Sequence, residues 1–453
     1  MSKTLLRPPL RPESKIIILY QGESMKYIIS TLGCKVNQYE TQAMESFLIE
    51  HGHERAVPGE LADAVIVNTC AVTAESGRKS RQVIRRLKEE NPGAIVGVCG
   101  CYSQLSPEET RELGVDVVFG AAEREKFIAA VEAARSTGEH CLRVDEPFKR
   151  REFENLPAGA MNGRTRAMLK IQDGCVNFCT YCIIPYTRGR LRSLSLADAA
   201  AETKKLNDMG FREIVLTGIE VASYGVDLPG KPGLADVIET VAASAPDMRI
   251  RLGSLEPTVI TEDFCRRLAA TGKLCRHFHL SLQSGCDRTL KAMNRKYDTA
   301  RFFHAAELLR QYFPGCALTC DLIVGFPDET EQDHKDTLDF IRRCAFSDMH
   351  IFPYSRRPGT PADAMPNQIE NAVKNRRAHE AQAVAAQMHE EFMRASIGLS
   401  LPVLFESKED NGCIGHSDTY LNVRVDGHDL RGKILSVRIE ALDGDCLFGS
   451  IDN

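Results

Sequence analysis

The hydrophobic residues of this chain fall into short runs that alternate with amphipathic stretches over most of its length. Between residues 25 and 150, four apolar runs of the kind found in buried parallel strands occur at 27–29, 64–67, 95–98 and 115–118. Stretches with helical periodicity separate them, among them 40–51 and 75–90. This alternation predicts an α/β layer domain of flavodoxin-like character over residues 25–150.

A second alternation, with a longer period, begins at residue 165. Six strand-like runs occur at 167–172, 213–217, 249–253, 277–282, 317–324 and 348–353, separated by helical stretches such as 196–209 and 300–312. Six β/α units are fewer than the eight of a complete barrel, so the pattern predicts an open, partial (β/α)6 barrel. Residues 367–398 contain no Pro, and no Gly before Gly398, and they predict a long helix that extends this domain to residue 395.

The C-terminal segment changes to the period of two that is typical of strands. Short runs at 403–405, 420–425, 434–439 and 447–451 are separated by glycines, which predicts a small β-barrel over residues 398–453. Residues 1–24 are basic and contain prolines, and we predict an N-terminal extension there, with Met25 as an alternative start of translation. Residues 151–163 carry one proline and two glycines and are predicted to form a linker.

The composition is that of an ordinary globular protein, since 43% of the 453 residues are hydrophobic and 26% are charged. The longest aliphatic run, 16–19, is far shorter than the roughly 20 residues of a membrane span, and it is too short for the apolar core of a secretory signal. We therefore expect a cytoplasmic protein with no membrane segment. The net charge of −5 gives no overall attraction to nucleic acid, so any RNA contact must use local basic patches.

Cysteine is the unusual residue, with 16 in the chain, and in a reducing compartment such a surplus indicates metal binding or catalysis. Cys175, Cys179 and Cys182 form a C-x3-C-x2-C run directly after the first predicted barrel strand. Three thiolates hold three irons of a [4Fe–4S] cluster, and the open fourth iron can bind S-adenosylmethionine, whose one-electron cleavage releases a 5′-deoxyadenosyl radical. A structural zinc site is the alternative, but zinc usually takes four ligands in two pairs.

A second group of thiols is distributed along the N-terminal domain. Cys34, Cys70 and either Cys99 or Cys101 follow predicted strands, at the edge where open α/β sheets bind ligands. Three thiols that converge there would suit a second cluster, whereas buried structural cysteines are the alternative. The spacing alone leaves the choice between Cys99 and Cys101 open.

Taken in order, these residues resemble the radical S-adenosylmethionine methylthiotransferases. The resemblance extends from Met25 to Asn453 and includes the three N-terminal cysteines, the segment 174–189 around the C-x3-C-x2-C run, His-Leu-Ser-Leu-Gln-Ser-Gly at 279–285 and Phe-Pro-Tyr-Ser-Arg-Arg-Pro-Gly-Thr at 352–360. It implies a transferase with two [4Fe–4S] clusters and S-adenosylmethionine, and a C-terminal RNA-binding barrel of the TRAM type. The family pattern Gly-Cys-x-x-Gln selects Cys101 as the third ligand of the auxiliary cluster.

Residues 31–41, Thr-Leu-Gly-Cys-Lys-Val-Asn-Gln-Tyr-Glu-Thr, resemble the branch of the family that methylthiolates C2 of N6-threonylcarbamoyladenosine beside the tRNA anticodon, at position 37. The alternatives are N6-isopentenyladenosine in tRNA, an aspartate of a ribosomal protein, and an iron–sulfur RNA-binding protein without enzymatic activity. The resemblance also implies an external electron donor such as a flavodoxin or ferredoxin, and it leaves the sulfur donor open. We expect a monomer.

Further cofactor contacts are expected at the carboxyl ends of the barrel strands. The candidates are Tyr181 over the adenine, Gly218 and Glu220 at the methionyl amino group, Gln283 and Ser284 facing the ligand, and Gly325 where the backbone approaches the adenine. The alternative for each is structural: a core tyrosine, a surface glutamate or a turn glycine.

Binding of RNA requires positive charge near the site. Arg188, Arg190 and Arg192 follow the cysteine loop, and a predicted helix carries Arg78, Lys79, Arg81, Arg85, Arg86 and Lys88. We predict that such patches hold RNA phosphates, although a solvated helix face is the alternative for the second group. Residues 401–453 contain five Lys and Arg against ten Asp and Glu, so this segment binds RNA through a few residues or chiefly orients the substrate.

Overall fold

A computed structural model describes residues 24–157, 165–409, 412–427 and 429–452 of the chain. The predicted N-terminal extension lies outside the described residues except for Ser24, and so do residues 158–163 of the predicted linker. Within these ranges, no helix combines the length and the apolar character that a bilayer-spanning segment requires.

The N-terminal part is built on a six-stranded parallel sheet with the order β2-β1-β3-β4-β5-β6. Its strands are β1 (Lys26–Thr31), β2 (Glu54–Arg55), β3 (Ala64–Thr69), β4 (Ile95–Gly100), β5 (Val117–Phe119) and β6 (Cys141–Arg143). Its helices are α1 (Lys35–Glu50), α2 (Ala74–Glu90), α3 (Cys101–Leu105), α4 (Pro107–Glu112) and α5 (Arg124–Thr137). The α/β class and all four predicted strands are confirmed, and the two missed strands, β2 and β6, have only two and three residues.

Helices cover both faces of this sheet, which explains why its strands are continuous apolar runs. Ala64 and Ile66 of β3 face the core formed with α1 and α5, whereas Val65 and Val67 face the core formed with α2. A strand that is buried on both faces has no polar alternation.

The central part contains six parallel strands and is an open barrel. Its strands are β7 (Arg166–Asp173), β8 (Arg192–Ser193), β9 (Glu213–Gly218), β10 (Arg249–Leu252), β11 (His277–Gln283), β12 (Ala317–Val324) and β13 (Asp348–Pro353). Its helices are α6 (Ile184–Arg188), α7 (Leu196–Asp208), α8 (Leu234–Ser244), α9 (Glu262–Ala270), α10 (Asp287–Ala292), α11 (Thr299–Tyr312), α12 (Glu331–Cys344) and α13 (Asn371–Ala395). Strands β10-β9-β7 and β11-β12-β13 form two sheets that are linked by isolated bridges, and the short antiparallel β8 borders β7, so the predicted partial barrel is confirmed.

The C-terminal part is a closed barrel with the order β14-β15-β16-β18-β17. Its strands are β14 (Ser400–Glu409), β15 (Gly412–Ser417), β16 (Asn422–Val425), β17 (Ile434–Asp443) and β18 (Cys446–Ile451). Sequence analysis missed β15 because its glycines suggest a turn. Gly415 is needed in the strand because a Cβ there would lie 2.2 Å from the carbonyl oxygen of Leu404.

The three parts pack against one another around the central barrel. Tyr39 and Ala43 of α1 pack on Met168 of β7 and Val215 of β9, so the N-terminal part covers these two strands. The C-terminal barrel instead lies at the amino ends of the central strands, where Arg249 Nη1 donates to the carbonyl oxygen of Pro402 at 2.9 Å. The C-terminal barrel therefore leaves the carboxyl ends of the barrel strands, where ligands are expected, free for contact with the N-terminal part.

Candidate active site

The loop that carries the first thiol triad is fixed at both of its ends. Gly174 follows β7 with a φ of +76°, and a Cβ there would lie 1.8 Å from the carbonyl oxygen of Arg190, so the turn requires glycine. The Cys175 amide donates to the carbonyl oxygen of Gly189 at 3.0 Å. The Thr180 amide donates to the carbonyl oxygen of Met293 at 3.1 Å. The three thiols are thereby held on one short loop at the carboxyl end of the first barrel strand.

The chemistry of this triad fits an iron–sulfur cluster. Burial raises the pKa of Cys175 and of Cys182 to about 12, so these thiols need a bound cation in order to ionise. At Cys179 the protein supplies a positive group itself, because Arg295 Nη1 lies 3.1 Å from the sulfur. Arg295 also lies 3.6 Å from a carboxylate oxygen of Glu256, which holds the guanidinium in place.

Two carboxylates lie beside the loop. The side-chain amide of Asn177 donates to Glu220 and to Glu256, each at 3.1 Å, and the Glu220 amide donates to Gln172 Oε1 at 2.7 Å. Burial, together with the nearby Glu256 carboxylate, raises the pKa of Glu220 to about 7. A pair of carboxylates suits an ammonium group, such as the amino group of a methionyl moiety.

Two other predicted cofactor contacts, Tyr181 for the adenine and Gly218 for the methionyl amino group, lie near this loop. Tyr181 is half-buried and packs against the cluster of Met293, Phe326, Tyr354 and Ala362. Gly218 ends β9, and a Cβ there would lie 2.9 Å from Val221 and 3.0 Å from the carbonyl oxygen of Gln172. Both positions are compatible with a cofactor contact, which stays a prediction.

Ser284 and Gly325 make structural contacts, and Gln283 has a left-handed backbone. Gln283 ends β11 in the left-handed conformation, with a φ of +66°, and is half-buried. The buried Ser284 hydroxyl accepts a hydrogen bond from the Cys286 amide at 3.2 Å. Gly325 has a φ of +71°, and a Cβ there would lie 2.4 Å from Lys374. The need for glycine at position 325 is therefore explained by the turn, without a ligand. Cofactor contacts by Gln283, Ser284 and Gly325 stay predictions.

The structure brings the second triad together at one edge of the N-terminal sheet. Cys34 precedes α1, Cys70 follows β3 and Cys101 begins α3. A Cβ on Gly33 would lie 2.7 Å from the sulfur of Cys70, so the Cys34 and Cys70 loops touch. Burial raises the pKa of Cys34 to about 11, with Arg188 lowering it and the thiols of Cys101 and Cys70 raising it further. Three neighbouring thiols with raised pKa values, or with a cation beside them, fit a metal cluster.

The positions of Cys99 and Cys101 distinguish these two candidates. The Cys99 sulfur is fully buried and lies 3.9 Å from the sulfur of Met44, in the apolar core beneath α1. The Cys101 sulfur instead lies 3.3 Å from Arg188 Nε, on the side of the central barrel. This placement favours Cys101 as the third ligand.

A buried charge network links the second triad to the strand and the helix that flank the first triad. Arg188 follows the first triad in α6, and besides Cys101 it donates to Glu40 and, at 2.7 Å, to Asn37 Oδ1 on α1. Glu40 also pairs with Arg124 at 2.8 Å and with Lys170 of β7 at 3.2 Å. Burial would raise the pKa of Glu40, but these three cations hold it well below its usual range. The network therefore fixes the N-terminal part on the central barrel at the site.

The burial of Arg188 and Arg192 corrects the prediction that they hold RNA phosphates. Their exposures are 0% and 3%, and Arg192 donates to the carbonyl oxygens of Arg188 and Arg190 at 3.0 and 2.7 Å. The basic run after the cysteine loop compensates the buried carboxylates of Glu40 and Asp173 and does not form a surface patch. Arg190 is exposed, and RNA binding there stays a prediction.

Sequence analysis missed several residues of this site, and one of them had a usable signal. Glu256 follows the carboxyl end of β10, the same position from which Glu220 was predicted after β9. Arg295, Asn37 and Glu40 gave no such signal, because their role depends on contacts that only the tertiary fold creates.

The helix α2 presents an exposed basic surface close to the second triad. Arg78, Arg81, Arg85 and Arg86 line a shallow groove of about 430 Å³. The helix begins at Ala74, whose amide donates to Ser355 of the central part at 3.2 Å. The amino end of α2 therefore contacts the central part, and the basic groove begins one turn further along the helix.

An open β/α barrel with a C-x3-C-x2-C loop after its first strand defines a radical S-adenosylmethionine enzyme. The model of the Radical SAM superfamily matches residues 169–341, and the model of the Uncharacterized protein family UPF0004 matches residues 26–120. The structure is similar to that of the radical S-adenosylmethionine methyltransferase TsrM from Kitasatospora setae with tryptophan substrate and a SAM analogue bound. That similarity has a TM-score of 0.55 at 17% identity and covers 85% of this chain and 79% of that one. At this identity the similarity supports the fold alone.

The relatives define the family more closely. The chain is 40% identical to the threonylcarbamoyladenosine tRNA methylthiotransferase MtaB of Bacillus subtilis (strain 168), over 90% of this chain and 92% of that protein. It is 34% identical to the tRNA-2-methylthio-N(6)-dimethylallyladenosine synthase of Alkaliphilus oremlandii (strain OhILAs), over 97% of this chain and 96% of that protein. The chain belongs to the family of radical S-adenosylmethionine tRNA methylthiotransferases and is a transferase.

Proposed function

We propose that the chain transfers a methylthio group to C2 of N6-threonylcarbamoyladenosine at position 37 of tRNA, beside the anticodon. The observation that carries the chemistry is the presentation of two thiol triads at one interface, with Arg188 in contact with Cys101 of the second and following the first along the chain. The substrate is supported by the relatives in Bacillus subtilis, Aquifex aeolicus and Thermotoga maritima, which carry the name of threonylcarbamoyladenosine tRNA methylthiotransferases at 40%, 33% and 35% identity.

Each triad would hold one [4Fe–4S] cluster. Cys175, Cys179 and Cys182 form the first site, and Cys34, Cys70 and Cys101 form the second. Together with S-adenosylmethionine, these groups would supply reductive cleavage to a 5′-deoxyadenosyl radical and a place for the inserted sulfur.

The side chains around the clusters have distinct tasks in this proposal. Arg295 and Arg188 each place a guanidinium N–H on one cysteine sulfur, and so favour its thiolate form. Glu220 and Glu256, which share the Asn177 amide, would bind the methionyl amino group. Glu40 accepts from Arg188 and Lys170, which keeps the two triads at a fixed separation.

The partners of the reaction follow from the chemistry. The substrate is an anticodon-loop adenosine, which is unpaired and can enter a pocket. An external donor of single electrons, of the flavodoxin or ferredoxin class, would reduce the first cluster. We place the enzyme in the cytoplasm as a monomer, and the identity of the sulfur donor stays open.

Analysis of tRNA nucleosides from a deletion strain tests this proposal. We expect the strain to lose 2-methylthio-N6-threonylcarbamoyladenosine and to retain the unthiolated precursor. Expression of the wild-type chain should restore the methylthiolated nucleoside. Expression of the Cys101→Ala variant should not. Loss of the methylthio group from the isopentenyl nucleoside alone would overturn the assigned substrate, and loss of a methylthio group from a ribosomal protein would overturn tRNA as the substrate.

A further inference from the structure

A cavity lies at the junction of the three parts of the molecule. It has a volume of about 250 Å³ and is bounded by the first turn of α1, the amino-terminal halves of β7 and β9, and the C-terminal barrel. The residues on which the argument depends are Lys35, Gln38, Arg166, Glu406 and Tyr420. This volume is below the roughly 300–1,000 Å³ of pockets for complete small molecules, so it suits a substituent better than a nucleoside.

The cavity carries one positive charge without a matched carboxylate. Arg166 Nε lies 2.8 Å from Glu406, and the nearby Arg251 lies 2.7 Å from Glu213, so both arginines are paired. Lys35 forms no ion pair of 4.0 Å or less with any residue in the described ranges. Its ammonium group is therefore available to an anionic ligand.

Lys35 is also adjacent to the second triad. It directly follows Cys34 and is the first residue of α1, and Gln38 lies three residues, about 4.5 Å, further along the helix. Met168 and Val215 form the opposite wall, on the strands that carry Gln172 and Gly218 at their other ends. The cavity therefore begins one residue from Cys34, and this adjacency is what assigns it to a substituent of a base held beside the second triad.

We propose that Lys35 binds the carboxylate of the threonylcarbamoyl group and thereby selects this substituent. The inference rests on the function proposed above. An ammonium–carboxylate hydrogen bond is among the stronger polar contacts, and the Gln38 amide is placed to serve the neighbouring hydroxyl or carbamoyl group. An isopentenyl group offers no partner for the ammonium, and a polar group left unpaired in this way disfavours the wrong substrate.

The test uses two anticodon stem-loop RNAs and the anaerobically reconstituted holoenzyme. One RNA carries N6-threonylcarbamoyladenosine, and the other carries the same group with a carboxamide in place of the carboxylate. We expect the wild type to prefer the acid in kcat/KM and in Kd by on the order of 10- to 100-fold, as befits one charge-assisted contact. In Lys35→Met the two RNAs should become equivalent within about twofold, and Lys35→Arg should retain a preference for the acid.

Controls separate this residue from the clusters and from general charge. Lys204→Met removes an exposed lysine of α7 that pairs with Asp208, and it should leave the preference unchanged. Iron content and formation of 5′-deoxyadenosine should be the same in Lys35→Met and the wild type.

The possible outcomes distinguish the two proposals. A wild type that does not discriminate between acid and amide overturns the role of Lys35, and so does an unchanged preference in Lys35→Met. The acid-to-amide ratio of the wild type needs no variant, so a ratio near one overturns the role of Lys35 even if Lys35→Met loses iron. A wild type that methylthiolates only isopentenyladenosine overturns the proposed function instead.

Discussion

At the scale of single residues, each thiol triad is contacted by one arginine. Arg295 lies 3.1 Å from the sulfur of Cys179, and Arg188 lies 3.3 Å from the sulfur of Cys101. A hydrogen bond to a cluster sulfur favours the more negative, reduced state of the cluster. Each arginine therefore influences the reduction potential of one cluster, independently of the other.

Arg295→Met should lower the reduction potential of the first cluster and leave the second unchanged. One charge-assisted hydrogen bond contributes about 1.5–3 kcal/mol, and about 59 mV corresponds to a tenfold change for one electron, so we expect a shift of roughly 65–130 mV. Potentials measured by electron paramagnetic resonance during a redox titration check this. Arg188→Met should act on the second cluster alone, and a shift of both clusters in either variant would contradict the assignment.

Glu220 should make the binding of S-adenosylmethionine depend on pH. Because its pKa is raised to about 7, the carboxyl group is largely protonated below that pH and binds an ammonium group poorly. Affinity should therefore rise as the pH increases through about 7, and it should be weaker and independent of pH in Glu220→Gln. Calorimetric titration of the reconstituted enzyme between about pH 6 and 8 measures this. A wild-type affinity without pH dependence would exclude Glu220 from amino-group binding.

Replacement of Cys101 and of Cys99 should have different effects on iron content. Two four-iron clusters give about eight irons per chain, and Cys101→Ala should reduce this to about four. Cys99→Ala should retain about eight irons, because its sulfur packs on Met44 in the core. Colorimetric iron assays with Mössbauer spectra distinguish these cases. The reverse pattern would make Cys99 the ligand.

The thiols were predictable from the sequence, but the charges around them were not. A cysteine at the end of a strand is a local signal. Arg188, by contrast, is separated by 87 residues from Cys101 and by 148 residues from Glu40, so its role becomes visible only in the fold. The same distance in sequence explains why its burial was missed.

At the scale of elements, buried polar residues at the start of α1 prevented the apolar periodicity from predicting that part of the helix. The apolar periodicity predicted a helix from residue 40, yet α1 begins at Lys35 because Asn37, Glu40, Thr41 and Gln42 are buried against polar partners. The five residues missed include the candidate specificity residue Lys35. By contrast, the six parallel strands of the central barrel were predicted to within two residues at each end, whereas the two-residue β8 was missed because it is too short for a periodic pattern.

The helix α2 should contribute to tRNA affinity by charge alone. Replacement of Arg78, Arg85 and Arg86 with Gln should weaken tRNA binding and reduce the log–log salt dependence by up to roughly 0.9 for each lost phosphate contact. Binding of full-length tRNA measured at several salt concentrations checks this. Formation of 5′-deoxyadenosine without RNA should not change.

A matched control for this prediction is Arg266→Gln on α9, an exposed arginine that pairs with Asp263. An unchanged affinity and an unchanged salt slope in the α2 variant would return this helix to the role of a solvated face.

At the scale of the whole molecule, the C-terminal barrel is fixed by arginines of the central part. Arg251 pairs with the buried Glu213 and donates to the carbonyl oxygens of Ser417 and Asp418, each at 3.1 Å. Its guanidinium also lies 4.7 Å from the centre of the Tyr420 ring. Such contacts between distant segments cannot be inferred from strand periodicity, so the sequence predicts three parts without their arrangement.

Arg251→Met should loosen the C-terminal barrel. Removal of one member of a buried ion pair leaves the other charge uncompensated and costs about 3–5 kcal/mol, here at the contact between two parts of the chain. Because the protein has several domains, local release is a better measure than one free energy of unfolding. Hydrogen exchange of β15 and β16 should become faster, and proteolysis near residues 396–400 should increase, relative to the N-terminal sheet.

Arg276→Met is the control for this contact, since Arg276 is partly exposed and pairs with Asp418 at 2.6 Å, so its removal should cost less than that of the buried Arg251. Arg251→Met should retain iron and cleavage of S-adenosylmethionine, because within the described ranges Arg251 contacts none of the six triad cysteines. It should lose affinity for substrate RNA, because Tyr420 and Glu406 of the C-terminal barrel line the cavity that we assign to the threonylcarbamoyl group. Equal protection of β15 and β16 in both variants would show that apolar packing, not Arg251, holds the C-terminal barrel in place.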